Sequence, residues 1–251
     1  MKPEASHQTP QSFEAKSRGD SEVPRQASAF ASLYGRRKGK KLRSHQEHLL
    51  ETLLPRLALD LSQPIADAAA LFTVRPREIW LEIGFGGGEH LAAEAMRQPD
   101  IGFIGCEPFV NGVAKLLALI EAEDFGNVRL HQGDAGAVID WLPPRCLDGL
   151  WLLYPDPWPK RRQRKRRFLS DEMLERLARI MRTGAEIRFA TDIDDNAGWT
   201  LARILRSPFF TWPARSERDW QEPWDNWVRT RYEAKAVAAG RRPAYFTFVR
   251  V

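Results

Sequence analysis

Ile79 to Glu107 reads IWLEIGFGGGEHLAAEAMRQPDIGFIGCE. It opens on an apolar run, Ile79 to Gly84, of strand length. It passes through clustered glycines into a helical stretch, Gly87 to Arg97, and returns to a second apolar run, Ile101 to Glu107. Strand, glycine turn, helix, strand is one crossover unit of a parallel sheet. The same alternation continues outward. Phe109 to Ala122 predicts a second helix, Val128 to Gln132 a third strand, and Leu147 to Tyr154 a fourth. Ser170 to Arg182 predicts a helix capped by Ser170, Ala185 to Ala190 a fifth strand, Asp194 to Arg206 a further helix, and Ala244 to Val251 a last β-like run. The expectation is an α/β domain over 77–251, a mostly parallel, doubly wound sheet with helices on both faces.

Ahead of this domain the composition changes. Residues 1–29 are rich in Ser, Gln, Glu, Pro and Lys without apolar periodicity, and are expected to form a disordered tail. Residues 30–76 are expected to hold a basic arm and one helix. Ser44 to Leu59 reads as an amphipathic helix with a capping box from Ser44 to Glu47, ended or kinked by Pro55.

The chain has 251 residues, 38 basic and 33 acidic, for a formal net charge of +5. That excess is modest but unevenly placed. Arg36 to Arg43 holds six basic residues and no acid, and Lys160 to Arg167 has seven basic residues in eight. Two such blocks suit a phosphate backbone; an isolated run is more often a solvated face. Cys106 and Cys146 form no C-x-x-C pair and read as core thiols of a reducing compartment. No apolar run approaches the length of a membrane span, and the amino terminus has no apolar signal core. A cytoplasmic protein without membrane or metal partner is expected, its oligomeric state left open.

The glycine turn carries the first functional signal. Gly84 and Gly86 let a ligand approach the backbone. Glu107 ends the second strand about twenty residues on, the spacing at which a carboxylate takes ribose hydroxyls. A dinucleotide fingerprint wants a third glycine where this chain has Glu89. Glu82 precedes the loop, and Asp134 follows the third strand. Acids around the loop suit a cationic nucleoside without phosphate, which points to S-adenosyl-L-methionine (SAM). In that reading Glu82 lies near the methionine end, Glu107 at the ribose and Asp134 near the adenine. Asp134 reads equally as a helix cap.

The second signal is Pro155-Asp156-Pro157-Trp158-Pro159-Lys160. Three prolines exclude helix and central strand, and stiffen the loop around one carboxylate and one indole. The loop lies at a strand's carboxyl end, where open α/β sheets bind ligands.

Together with Thr191-Asp192 and Thr230-Arg231-Tyr232-Glu233, these motifs resemble the bacterial tRNA (guanine-N7)-methyltransferases, from about Phe30 to the carboxyl end. The resemblance implies a Rossmann-like SAM-dependent methyltransferase fold, SAM as donor, and a guanine in the tRNA variable loop as acceptor. Carried over residue by residue, it implies Glu82, Gly84, Gly86, Glu107, Asp134 and Asp156 for the cofactor. It makes Asp156 the catalytic acid and Lys160, Asp192, Thr230, Arg231, Tyr232 and Glu233 the substrate contacts. Two positions depart from the family pattern. Gln163 stands where many members have His, and Arg231 where many have Lys, which keeps the charge but changes donor geometry. Two other readings compete: an exocyclic-amine RNA methyltransferase, because Asp-Pro-Trp-Pro lies where such enzymes keep an Asn/Asp-Pro-Pro-aromatic loop, and a non-catalytic RNA-binding protein on the same fold.

Overall fold

The structure, a computed structural model, describes Met1 and residues 39–251. The expected tail 1–29, and Arg36 and Arg37 of the arm, fall outside the described residues. Strands β1 (Glu78–Ile83), β2 (Ile101–Cys106), β3 (Val128–His131), β4 (Leu147–Leu153) and β5 (Met181–Thr191) run parallel. The short β6 (Phe210–Thr211) pairs antiparallel with β7 (Ala244–Arg250), and β7 pairs antiparallel with β5. The order across the sheet is β3-β2-β1-β4-β5-β7-β6. From β1 the chain winds outward through β2 and β3, then returns to β4 on β1's other side. The direction of winding reverses between β1 and β4, and a crevice opens at their carboxyl ends. Parallel strands covered on both faces read as continuous apolar runs, and β2 is buried at every position.

Helices α1 (Ser44–Thr52), α2 (Leu54–Leu57), α3 (Glu89–Arg97), α4 (Val110–Glu123), α5 (Ala135–Trp141), α6 (Asp171–Ile180), α7 (Asp194–Ile204), α8 (Arg218–Gln221) and α9 (Arg231–Ala238) complete the described chain. Leu49 and Leu57 pack into the core around Phe103 and Leu117. Ala58 bridges Leu130 in parallel, and Leu59 N–H donates to the Leu130 carbonyl at 2.9 Å. This segment therefore covers the outer edge of β3, which would otherwise present unpaired backbone groups.

Several local expectations need correction. Ser44 does not cap α1; it is already the first helical residue, and the reciprocal bond runs from Arg43 N–H to Gln46 Oε1 at 3.2 Å. Pro55 does interrupt the segment, as the opening turn of α2. Helix α6 keeps its Ser170 cap, with Oγ accepting Met173 N–H at 3.2 Å, but stops at Ile180. There Cys146 N–H takes the Ile180 carbonyl and Met181 pairs with Leu147, so β5 starts before Ala185. The basic run 160–167 forms a 3-10 turn over Arg161–Arg166, with no α-helical face. Seven residues of α5 were too few to give a periodic signal of their own.

Candidate active site

The glycine loop bends away from β1 through left-handed backbone, with φ of 72° at Gly84, 60° at Gly86 and 79° at Gly88. Residues with a Cβ are strained there. A Cβ on Gly84 would meet nothing within 4 Å, so space opens in front of the loop. Behind the loop the packing is closed: a Cβ on Gly112 of α4 would lie 1.9 Å from the Gly86 carbonyl oxygen. Glycine at 112 therefore sets how closely the cofactor loop sits on α4.

Glu107 is fixed from two sides. Its Oε2 accepts Gly86 N–H at 2.7 Å and its Oε1 accepts Phe109 N–H at 2.9 Å. Each carboxylate oxygen retains a lone pair for a further donor. Burial raises the Glu107 pKa above the ordinary carboxylate value, against the two backbone N–H bonds and the Arg231 charge, which lower it. Glu82, 3% exposed, is held by a different group: its Oε2 lies 2.8 Å from His90 Nδ1. The His90 ring stands edge-on to Trp151, with centroids 4.9 Å apart, and lies 5.1 Å from Trp227. Asp134 Oδ1 accepts Gly136 N–H at 3.2 Å and so caps α5, the alternative its sequence position allowed.

After β4 the chain turns sharply. Tyr154 and Trp158 both take left-handed backbone, with φ of 51° and 42°. For non-glycine residues that conformation costs on the order of 1–3 kcal/mol each and persists only where surrounding contacts impose it. Tyr154 N–H donates to the Ala190 carbonyl at 2.8 Å, and Arg167 supplies the contacts around Trp158. It is 3% exposed; its Nε donates to the Pro157 carbonyl at 2.8 Å and its Nη1 to the Asp195 carbonyl at 3.0 Å, and it forms an ion pair with the Asp195 carboxylate. The last residue of the basic run thus ties the proline loop to the first turn of α7 and is unavailable to a polyanion. Earlier in the run, Arg166 lies over the Trp158 ring, 4.9 Å from its centroid.

A cavity of about 500 Å³ lies at the β1/β4 crevice. That is within the range of small-molecule sites, roughly 300–1,000 Å³. It brings together Gly84, Gly86, Glu107, Asp156 and Tyr232 of the residues singled out in the sequence. Phe109, Trp158 and Arg166 also line it. Asp156 is exposed at its rim, and its carboxylate has no hydrogen-bond or ion-pair partner among the described residues. Enough protein surrounds it that desolvation raises its pKa above the ordinary carboxylate value.

The other predicted residues sit elsewhere. Glu82 and Asp134 do not line the cavity. Lys160 is exposed at the start of the 3-10 turn. Thr230 caps α9, its Oγ1 accepting Glu233 N–H at 3.2 Å. Glu233 is 2% exposed and takes bonds from Trp227 Nε1 at 2.6 Å, Tyr245 Oη at 3.0 Å and Arg229 Nε at 3.2 Å. Asp192 pairs with Arg241 at 2.5 Å. Asp192 and Glu233 line a second, open basin of about 1,200 Å³ with Arg229, Trp227 and Tyr245. Arg231 and Tyr232 connect the two regions: the Arg231 guanidinium and the Tyr232 ring both approach to 3.3 Å from where a Gly86 Cβ would stand. Sequence reasoning missed His90, Phe109, Arg167 and Trp227. The first three carried no motif of their own, and Trp227 was one of nine tryptophans.

The architecture is that of the class I SAM-dependent methyltransferases. A solved "antibiotic related Methyltransferase" superposes with a TM-score of 0.50 at 14% identity over 77% of this chain and 99% of that one, a likeness of fold alone. A family model described as "Putative methyltransferase" matches residues 76–245. The "tRNA (guanine-N(7)-)-methyltransferase" of Rhodopseudomonas palustris (strain BisB5) is 53% identical over 88% of this chain and 86% of its own length. That of Chelativorans sp. (strain BNC1) is 53% identical over 88% of this chain and 95% of its own. The chain belongs to the tRNA (guanine-N(7)-)-methyltransferase family.

SAM fits the residues present. The cavity meets an open, glycine-lined strand end, and the fixed Glu107 carboxylate has acceptor capacity left at the position a ribose diol needs.

Proposed function

We propose that this chain methylates N7 of a guanine in the tRNA variable loop, using SAM, in the cytoplasm. The observation that carries this reading is the one cavity in which the glycine loop, Glu107 and Asp156, unpartnered among the described residues, meet. The family membership supports the same assignment. Residues 77–251 then form the methyltransferase domain, and 30–76 a basic arm and N-terminal helix ahead of it.

When bound, SAM supplies an electrophilic methyl group, which the lone pair of guanine N7 takes while the carbon–sulfur bonding pair stays with sulfur. No proton has to leave N7, so the chain's work is alignment and charge placement. Glu107 holds the ribose hydroxyls, and Gly84 and Gly86 let the donor lie against the backbone. Asp156 accepts from guanine's N1–H or amino group. As the base gains positive charge on methylation, those N–H groups become stronger donors and a fixed carboxylate stabilises the developing charge. Partial desolvation by the surrounding protein makes that exposed carboxylate costlier to ionise and less shielded by water, which strengthens its interaction with the base. Lys160, Asp192, Thr230, Arg231 and Tyr232 hold the RNA around the target, with Arg231 and Tyr232 lying against the glycine loop, while the buried Glu233 holds the start of α9 in place. Glu82 and Asp134 complete the cofactor side, Glu82 through the His90 pair.

The test is labelled SAM with unmodified tRNA, followed by reduction, aniline cleavage and mapping. N7 methylation yields strand scission at one variable-loop guanine. Label that resists cleavage indicates an exocyclic amine, and SAM binding without transfer indicates a non-catalytic RNA-binding protein.

A further inference from the structure

The arm's attachment point is a hydrogen-bonded clamp at the cavity's edge. Gly39 N–H donates to Asn111 Oδ1 at 2.7 Å, and Asn111 Nδ2 donates to the Lys40 carbonyl at 2.7 Å. One amide side chain therefore holds backbone groups of two consecutive residues of the arm, accepting from one and donating to the other. The fit is specific to glycine. A Cβ on residue 39 would lie 2.7 Å from the Phe109 ring and 2.9 Å from Asn111 Oδ1. Asn111 lies in the first turn of α4. Phe109, which precedes that helix, lines the cavity, and its N–H is held by Glu107. Downstream of the clamp the chain is held again, by Leu49 in the core and by His45 Nε2 to Glu121 at 2.8 Å on the far part of α4.

Between these anchors Lys40, Lys41 and Arg43 are exposed. The opposite lip of the cavity carries Trp158 and Arg166 from the second basic block. Lys40, Lys41 and Arg43 of the first basic block and Arg166 of the second are thus the described basic residues around this opening.

We propose that Asn111 is a positioning residue for RNA: by fixing Gly39 and Lys40 at the amino end of α4, it holds the basic arm as a phosphate-binding surface on the cofactor-side lip. This rests on the RNA-methyltransferase reading and adds to it a specific contact between the cofactor-side lip and the nucleic-acid backbone. Asn111 touches neither reactant and acts through Lys40 and Lys41. Held charges bind phosphates without first losing chain entropy, so the clamp favours binding through preorganisation.

The experiment is a double-mutant cycle on the full chain with unmodified tRNA, between Asn111→Ala and Lys40→Gln/Lys41→Gln. It measures tRNA Kd at several salt concentrations, SAM Kd, and kcat at saturating substrates. Asn111→Ala is expected to weaken tRNA binding on the order of fivefold and to lower the salt slope by about one unit for each phosphate that the arm no longer neutralises. SAM Kd and kcat stay within twofold of wild type, a split that a general loss of structure would not give. Neutralising the lysines should matter less when Asn111 is already gone. Gly39→Ala, which breaks the clamp from its other side, should reproduce the Asn111→Ala phenotype. An unchanged salt slope in both clamp variants, or lysine effects of equal size with and without Asn111, overturns the proposal. If wild type neither binds tRNA in a salt-dependent way nor methylates it, the underlying functional reading fails instead.

Discussion

The site contains two sets of carboxylates, and the protein treats them differently. Glu82, Glu107 and Glu233 are each under a tenth exposed, and each is already bonded by the chain: by His90, by two backbone N–H groups, and by Trp227 with Tyr245. Asp156 is exposed on a loop of prolines and left-handed residues and has no such partner among the described residues. The buried acids hold shape. They fix the glycine loop, the base of α9 and the wall between cavity and basin. The proline loop is itself held by Arg167, so Asp156 is positioned without its own acceptor atoms being used. Among the described residues, Asp156 is thus a carboxylate of this site held in place without a partner of its own.

The contrast is sharpest at Glu233. Glu233→Ala leaves Trp227 Nε1 and the Tyr245 hydroxyl without their acceptor, and should cost about 3 kcal/mol of stability. Chemical denaturation measures this. A variant of unchanged stability that has lost tRNA affinity would move Glu233 from the structural set to the substrate contacts. Arg167→Met removes two bonds to backbone carbonyls and an ion pair to the partly exposed Asp195, and should cost about 2–3 kcal/mol while salt-dependent RNA binding stays near wild type. A lowered salt slope with normal stability would return Arg167 to the RNA surface.

Glu107 lies between the two classes, bonded yet facing the cavity. Glu107→Gln should weaken SAM binding by about 1–2 kcal/mol, read by titration calorimetry, through loss of a charged acceptor. Because burial raises its pKa, the fold favours the protonated acid. The stability this residue contributes is therefore fully present below its unfolded pKa and lost as pH rises through its folded pKa. SAM affinity should run the opposite way, rising over the same interval as the carboxylate ionises. Asp156 has the same direction of shift, so Asp156→Asn removes a charge the fold disfavours. Its melting temperature at neutral pH should equal or slightly exceed that of wild type, a small trade of stability for function.

The parallel sheet was legible because β1, β2 and β4 are largely apolar, β3 and the second half of β5 alternate apolar with polar residues, and the helices after β1, β2 and β5 have the length to carry a pattern of their own. The glycine loop, Glu107 and Asp156 were legible because glycine, proline and an acid at a strand end restrict the backbone or carry charge at a defined place. What was not legible depends on residues distant in sequence. Arg167 looks like its six basic neighbours, and only Pro157 and Asp195 distinguish it. Glu233 follows a residue, Tyr232, that lines the cavity, yet one step along α9 turns it into the core. His90 reads as an ordinary helix residue until Glu82, Trp151 and Trp227 surround it. The cap of α1 was misplaced by one residue because Ser44 with Glu47 offers the same spacing as the box that forms, Arg43 with Gln46.

The central claim is that Asp156 aligns and stabilises the reacting base while other groups hold the substrates. Single-turnover methyl transfer by Asp156→Asn at saturating SAM and tRNA, across pH and beside separate binding titrations, tests it most directly. The predicted result is a rate lower by on the order of a hundredfold or more, with both Kd values nearly unchanged. The wild-type rate should fall on the acid side at a pH above the ordinary carboxylate value, and that acid limb should be absent in the variant. A near-wild-type rate that keeps the wild-type acid limb would contradict the claim and leave alignment to Lys160, Asp192 and residues 230–233.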